Sequence, residues 1–256
     1  MKIEVFFSPS QVDELFLRDK NVVVIDVLRA SSTIATALMN GAREIIPVST
    51  IESAVKISGN LFGDVVLRGG ERNGKMIEGF NLGNSPSEYT PDAVKGKSII
   101  FCTTNGSSAI VKSRYAKNLS VAGFINMSTV IEFIKELNED FHILCAGKQS
   151  LFCIEDSVCA GMIITQLMND ETLSVELNDP AVAAAVLYKS MGKNLPRTIR
   201  AADHGKYLTE IGFKNDIKLC TDIDSVPVLP MLIGNSIKLR KVEPIKQAPE
   251  TDVPAQ

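Results

Sequence analysis

The sequence predicts an α/β protein: a layered sheet of parallel β-loop-α units whose polar turns converge at the C-terminal ends of the strands. Three stretches carry this reading, at residues 22–37, 98–116 and 141–168, where an apolar run yields to a polar turn and then to an apolar-periodic segment. Runs without polar alternation are what strands buried on both faces look like. Units repeated in this order imply parallel pairing, and the expectation is one parallel-type sheet with three polar turns along the same edge.

Residues 2–7 are expected to form a short strand, with Ser8-Pro9-Ser10 turning into a helix near 11–17. Residues 22–25 form the next strand. After Asp26, the hydroxyls of Ser31, Ser32 and Thr33 are N-cap candidates for the following helix. Strand 44–48, helix 51–57 and strand 65–67 come next. Residues 68–89 keep neither a 2.0 nor a 3.6 period, yet Ile77, Phe80, Leu82 and Tyr89 give them something to bury, so an ordered functional loop is expected. Strand 98–102 leads through Thr103-Thr104-Asn105-Gly106-Ser107 into helix 109–116, followed by strand 119–122 and helix 129–137. Strand 141–145 and its turn lead into a helix from Ile154 to Met168. Asp179-Pro180 opens a helix to Met191, and residues 197–211 form another, ended by Gly212. Residues 219–239 return to short strands broken by Pro227 and Pro230. A single domain over 1–242, or two subdomains sharing one cleft, precedes a proline-containing polar tail, 243–256, expected to be disordered.

Composition narrows the function. The chain has 256 residues and a net charge of −3, so no basic field draws it to nucleic acid. No apolar run approaches the ~20 residues of a membrane span, and the first residues lack a secretory leader, so a cytoplasmic protein is expected. Five cysteines without a Cys-x-x-Cys pair fit reduced thiols. With only His142 and His204 present, a Cys/His zinc cage is not expected. An anionic ligand would need a locally positive pocket, and the turn after Asp26 offers one: free N–H groups at a helix start, Arg29 and three hydroxyls.

Several phosphatase chemistries can be tested on spacing. A cysteine phosphatase needs arginine six residues after its nucleophile, but Cys102, Cys145 and Cys153 lead to Ser108, Leu151 and Cys159. Asp222-Ile223-Asp224-Ser225-Val226 imitates the start of a haloacid dehalogenase phosphatase, but too little chain follows it, and a turn is expected. No Walker A loop occurs. Metal-assisted hydrolysis remains, in which Mg²⁺ would take carboxylate and water oxygens. The candidate ligands are Asp26, Glu71, Glu155 and Asp156, each of which has a structural alternative as a cap, a helix-dipole complement or an ion-pair partner. Arg29, Arg68, Arg72 and Lys75 could hold the anion. Ser31, Ser32, Asn84, Ser85, Thr104, Asn105 and Gly106 are short donors for the same purpose. His204 could serve as general acid or base, with a structural alternative as a helix residue beside Asp203, and it joins Asp26 and Glu155 as a catalytic candidate.

Taken together, DVLRASSTI (26–34), GERNG (70–74), GFNLGNSP (79–86), TTNGS (103–107), CAG (145–147) and EDSVCAG (155–161) resemble the 2-phosphosulfolactate phosphatases, the ComB family. The resemblance covers about residues 3–235 in order. It implies a ComB-like fold, a homodimer, and Mg²⁺-dependent hydrolysis of (R)-2-phospho-3-sulfolactate to 3-sulfolactate and phosphate in coenzyme M biosynthesis. Within that frame Asp26, Glu155 and Asp156 would hold Mg²⁺, Arg29 and the turn at 104–106 the phosphate, and Arg68 or Arg72 the sulfonate. Asn81 stands where the family pattern has Asp. A phosphatase for another small phosphoester, and a sensor that binds such a metabolite without turnover, are the alternatives.

Overall fold

The computed structural model describes residues 1–60 and 65–240, so the tail expected from 243 onward lies outside the described residues. In chain order the elements are β1 (Lys2–Phe6), β2 (Asn21–Ile25), α1 (Ala30–Met39), β3 (Glu44–Val48), α2 (Ile51–Asn60), β4 (Val66–Arg72), β5 (Lys75–Met76), α3 (Pro91–Val94) and β6 (Ser98–Cys102). Then come α4 (Gly106–Lys112), β7 (Asn118–Ala122), α5 (Met127–Leu137), β8 (Phe141–Cys145), α6 (Ile154–Met168), β9 (Glu176–Leu177) and α7 (Asp179–Met191). The last are α8 (Leu195–Ala201), α9 (Asp203–Glu210), α10 (Lys214–Cys220), β10 (Pro230–Ile233) and β11 (Ser236–Leu239).

The strands form one sheet in the order β5-β4-β6-β3-β11-β10-β7-β2-β8-β1-β9. It is mixed rather than parallel throughout. β4, β6 and β3 form one parallel block, and β7, β2, β8, β1 and β9 form a second. The β10–β11 hairpin, turning at Gly234-Asn235, joins the blocks through antiparallel pairing on both sides. Three antiparallel joints separate β3 from β7, so the blocks oppose each other along the ladder. They nevertheless share a core. Val22 and Val24 of β2 and Ile99 and Phe101 of β6 pack with Ile34 and Leu38 of α1 and Ala109 and Ile110 of α4. Val23 and Ile25 point the other way, into a core with α5, α6 and α7. The unbroken apolar run of β2 therefore reflects burial on both faces, with α1 and α4 layered between the blocks.

Several local expectations change. Only a 3₁₀ turn, Pro9–Gln11, forms near the expected first helix, because the Asp13 carboxylate accepts the Phe16 N–H at 2.8 Å and holds a turn there instead. The helix expected over 197–211 breaks at Ala202, whose backbone is extended (φ −69°, ψ 160°), leaving α8 and α9. Asn178, one residue before the expected cap, caps α7 by accepting the Ala181 N–H at 3.0 Å. Within 68–89, β4 runs on to Arg72 and turns through Asn73-Gly74, both at positive φ, into β5. Asn81 accepts the Arg68 N–H at 2.9 Å and stands in this loop, where its amide orders main chain. In the 222–226 segment, Asp224 accepts the Ser128 N–H at 2.7 Å at the start of α5, as expected of a turn rather than a catalytic motif.

Candidate active site

The turns after β2 and β6 are built alike. The Asp26 N–H donates to Ser31 Oγ at 2.9 Å, and the Thr103 N–H donates to Ser107 Oγ at 2.8 Å. Ser31, Ser32 and Thr33 therefore do not act as side-chain N-caps. They lie inside α1, where Ser32 donates to the Val27 carbonyl and Thr33 to the Asn84 carbonyl. Gly106 opens α4 directly against Asp26: a Cβ there would stand 2.5 Å from Asp26 Oδ2 and 2.5 Å from the Ala30 methyl. Gly106→Ala is therefore expected to push Asp26 aside with near-native circular dichroism and, with Asp26 as a candidate reacting group, to cut turnover by roughly tenfold or more, since small misplacements of a reacting group are costly. Steady-state kinetics on the folded variant would check this, and wild-type rates would refute it.

Two buried carboxylates tie the turns together through main chain. Glu71 accepts the Gly74 N–H at 2.8 Å and the Thr104 N–H at 2.7 Å, linking the Asn73-Gly74 turn to the turn after β6. Asp156 accepts the Val27 N–H and the Gly147 N–H, both at 2.9 Å, linking the turns after β2 and β8. Burial, with Asp26 and Glu155 nearby, pushes the Asp156 carboxyl well above the usual range.

Between these turns lies a cavity of about 270 Å³. Asp26, Arg29, Glu71, Asn73, Gly74, Asn84, Thr104, Asn105, Lys148, Gln149, His204 and Tyr207 line it with Leu28 and Leu208. Burial raises the Asp26 pKa to about 6, with the Glu71 charge adding and the neighbouring His204 opposing. His204, at the start of α9, brings Nδ1 to 2.9 Å from Glu155 Oε1. Glu155 itself lines an adjoining cavity of about 480 Å³ that shares Lys148, Gln149 and His204 with the first. Two polar atoms here, Glu155 Oε2 and Asn84 Oδ1, are buried without a hydrogen-bond partner. Such atoms cost free energy unless a ligand, ion or water satisfies them.

Arg29 is almost fully buried. Its Nη1 donates to Asp216 of α10 at 2.7 Å, its Nη2 donates to the Gly74 carbonyl at 2.6 Å, and its plane lies 4.2 Å from the Phe213 ring centre. Two of its five N–H donors are thereby spent. Asp216 also accepts Ser85 Oγ at 2.7 Å, so Ser85 sits behind Arg29 rather than in the cavity. Arg68 and Arg72 are likewise absent from the lining. Arg68 lies over the Phe80 ring, and Arg72 donates to the Glu71 and Ser49 carbonyls and to Cys102 Sγ.

The structure thus gathers Asp26, Arg29, Glu71, Asn84, Thr104, Asn105 and His204 around one cavity, with Glu155 behind His204, Gly106 against Asp26 and Asp156 beneath. It leaves Ser31, Ser32, Ser85, Arg68 and Arg72 outside. The residues not anticipated are Asn73, Gly74, Lys148, Gln149, Tyr207 and, through Arg29, Asp216. An Asn-Gly pair was a readable turn signal for the first two. No thiol lines the main cavity, and burial raises all five, Cys220 to about 12.

Among the described residues no three His, Cys, Asp or Glu side chains form a ready metal cage. Mg²⁺ rarely needs one, since it usually takes one or two carboxylates and completes its shell with water and phosphate. Asp26 and the unpartnered Oε2 of Glu155 suit that mode. Glu71 and Asp156 suit it less, because both oxygens of each already accept main-chain N–H groups.

The family model for 2-phosphosulpholactate phosphatase matches residues 6–235. A probable 2-phosphosulfolactate phosphatase of Caldanaerobacter subterraneus subsp. tengcongensis is 41% identical over 238 residues, 93% of this chain and 98% of its own. Proteins of the same description from Clostridium acetobutylicum and Thermotoga maritima are each 40% identical, over 93% and 87% of this chain and 100% and 93% of their own. With the family model matched over residues 6–235 and these relatives at 40–41% identity over nearly their whole length, the chain belongs to the 2-phosphosulfolactate phosphatase family.

Proposed function

We propose that the protein is a phosphoric monoester hydrolase that cleaves (R)-2-phospho-3-sulfolactate to 3-sulfolactate and phosphate with Mg²⁺, in coenzyme M biosynthesis. The observation that carries this reading is one cavity holding a buried carboxylate of raised pKa, Asp26, beside Arg29, the Thr104–Asn105 turn and His204, whose Nδ1 is met by Glu155 from the adjoining cavity. Asp26 and Glu155 would hold the ion, which, when bound, neutralises phosphoryl charge and lowers the pKa of water. Arg29 offers its uncommitted N–H groups, fixed in direction by Asp216 and Gly74, to phosphate oxygens. Thr104 and Asn105 add short donors from the α4 entrance. In the reaction, the oxygen of water bonds to phosphorus, the bond from phosphorus to the C2 oxygen breaks, and that oxygen takes a proton. His204, with Nδ1 held by Glu155, would carry the proton from the attacking water to that oxygen on its other ring nitrogen. Among the described residues no helix is long and apolar enough to cross a membrane. The family resemblance extends the proposal to a cytoplasmic homodimer.

Phosphate release from phosphosulfolactate should begin on adding Mg²⁺ and stop with a chelator. In ¹⁸O-water, a single turnover should place the label in phosphate. A phosphoryl group trapped on the protein by acid quench of a single turnover would overturn direct attack by water, and tight binding without release would make the protein a sensor.

A further inference from the structure

Arg68 and Arg72 stand outside the cavity, so a substrate with phosphate, carboxylate and sulfonate needs another cation. The lining offers two, Arg29 and Lys148. Arg29 has its charge matched by Asp216 at 2.7 Å, with both side chains nearly inaccessible. Lys148 forms no ion pair among the described residues, and it borders both the main cavity and the adjoining one.

The backbone around Lys148 is held at some cost. Lys148 and Leu151 exchange two main-chain hydrogen bonds at 3.0 Å, closing a tight turn. Its two central residues, Gln149 and Ser150, sit at φ +52° and +60°, conformations that ordinarily call for Gly or Asn. Three contacts from elsewhere hold the turn. The Gln149 N–H donates to Asn105 Oδ1 at 2.9 Å, the Ser150 carbonyl accepts Ser8 Oγ, and the preceding Gly147 N–H donates to Asp156. Left-handed residues that their surroundings over-determine in this way mark positions where a side chain must be aimed. The Lys148 ammonium lies 5.6 Å from the centre of the Tyr207 ring, and that ring is fixed by its hydroxyl donating to the Asn73 carbonyl at 2.8 Å.

We infer that Lys148 is the specificity residue that binds the second acidic group of the substrate, carboxylate or sulfonate, and so selects acidic phosphoesters over neutral ones. The inference rests on the hydrolase reading above. A phosphate held by Arg29 and the Thr104–Asn105 turn leaves the rest of a small substrate to extend toward Lys148, which is linked to Asn105 through the neighbouring Gln149. Lysine suits this position because its ammonium is a compact charge on a flexible stem, and it can meet either a carboxylate or a sulfonate.

The test compares wild type, Lys148→Met and Lys148→Arg on phosphosulfolactate and on isopropyl phosphate, which carries no second acid. Loss of one charge-assisted contact should raise KM for phosphosulfolactate by roughly 10- to 100-fold in Lys148→Met, with kcat changed far less. The KM for isopropyl phosphate should move by no more than about threefold, and arginine should restore most of the loss. Equal losses on both substrates, or none on phosphosulfolactate, would overturn the inference. Calorimetric titration with 3-sulfolactate, which has both acids and no phosphate, keeps the two readings apart. Binding that weakens tenfold or more in Lys148→Met supports the Lys148 assignment even if wild type releases no phosphate. Unchanged binding, or none to wild type, refutes it even if turnover is normal.

Discussion

Asp26→Asn raises thermal stability at neutral pH while removing phosphate release. In the folded protein the Asp26 pKa is raised to about 6 from its ordinary 3.8, because burial penalises the carboxylate and Glu71 repels it. The folded state therefore binds a proton that the unfolded chain releases between these two values. Stability from this group is greatest below pH 3.8, falls as pH rises through 6, and is fully lost above it. The gap of about two pKa units corresponds to about 3 kcal/mol at pH 7.5, which asparagine recovers. For a chain of this size that is a gain of roughly 6–10 °C in Tm, vanishing near pH 4. The same amide removes an anionic oxygen from the proposed ion site, and turnover should fall by roughly a thousandfold, the equivalent of several kcal/mol of lost charge stabilisation. Calorimetry across pH 4–8 with and without Mg²⁺ checks both parts. Wild type should gain Tm with Mg²⁺, because an ion held at the proposed site would stabilise the folded state alone, and Asp26→Asn should gain little. A variant less stable than wild type at pH 7.5 would refute the account of Asp26, and equal Mg²⁺ gains in both would refute its role as a ligand.

Asp216→Ala should be the most damaging single change away from the cavity wall. It leaves the Arg29 guanidinium buried with only the Gly74 carbonyl and the Phe213 face, and it removes the acceptor of Ser85 Oγ. Breaking a buried pair on one side costs about 3–5 kcal/mol, because the remaining charge is neither solvated nor matched. The urea midpoint should drop accordingly at an unchanged slope. Removing both charges tells a different story. The double variant Arg29→Met with Asp216→Leu should recover most of the stability, since desolvation of the pair offsets much of its attraction. It should not recover activity. A midpoint shift worth less than about 1 kcal/mol in Asp216→Ala would show that the pair is solvated in solution.

Much of this was readable along the chain, and the exceptions share a cause. The run at Val22–Val24 announced a strand buried on both faces, and Gly106 and Thr104 fell where a strand–turn–helix unit puts an anion site. Each of these depends on neighbours in sequence. Asp216 reaches Arg29 across 187 positions, and nothing near Arg29 says which acid will match its charge. Lys148 and Tyr207 likewise become site residues only because α9 starts afresh after Ala202 and lies over the turn at Gln149-Ser150. Arg68 and Arg72 looked like substrate cations by charge alone. Their strand, β4, sends them instead to the Phe80 ring and to main-chain carbonyls beside α2. The opposed blocks of the sheet depend on the β10–β11 hairpin, which was read only as short strands within 219–239 and whose partners, β3 and β7, no local signal names.

That hairpin also bears on when, during synthesis, the sheet can close. A ribosome makes β10 and β11 last among the described strands, yet they occupy the middle of the sheet. Asp26 follows a strand of one block and Thr104 a strand of the other, and no ladder joins those blocks until residues 230–239 have emerged. Closing such a distant pairing is slow compared with local folding. A growing chain can thus carry every cavity residue and still lack the ladder between their two blocks, so the continuous sheet behind the cavity closes only after residues 230–239 have emerged.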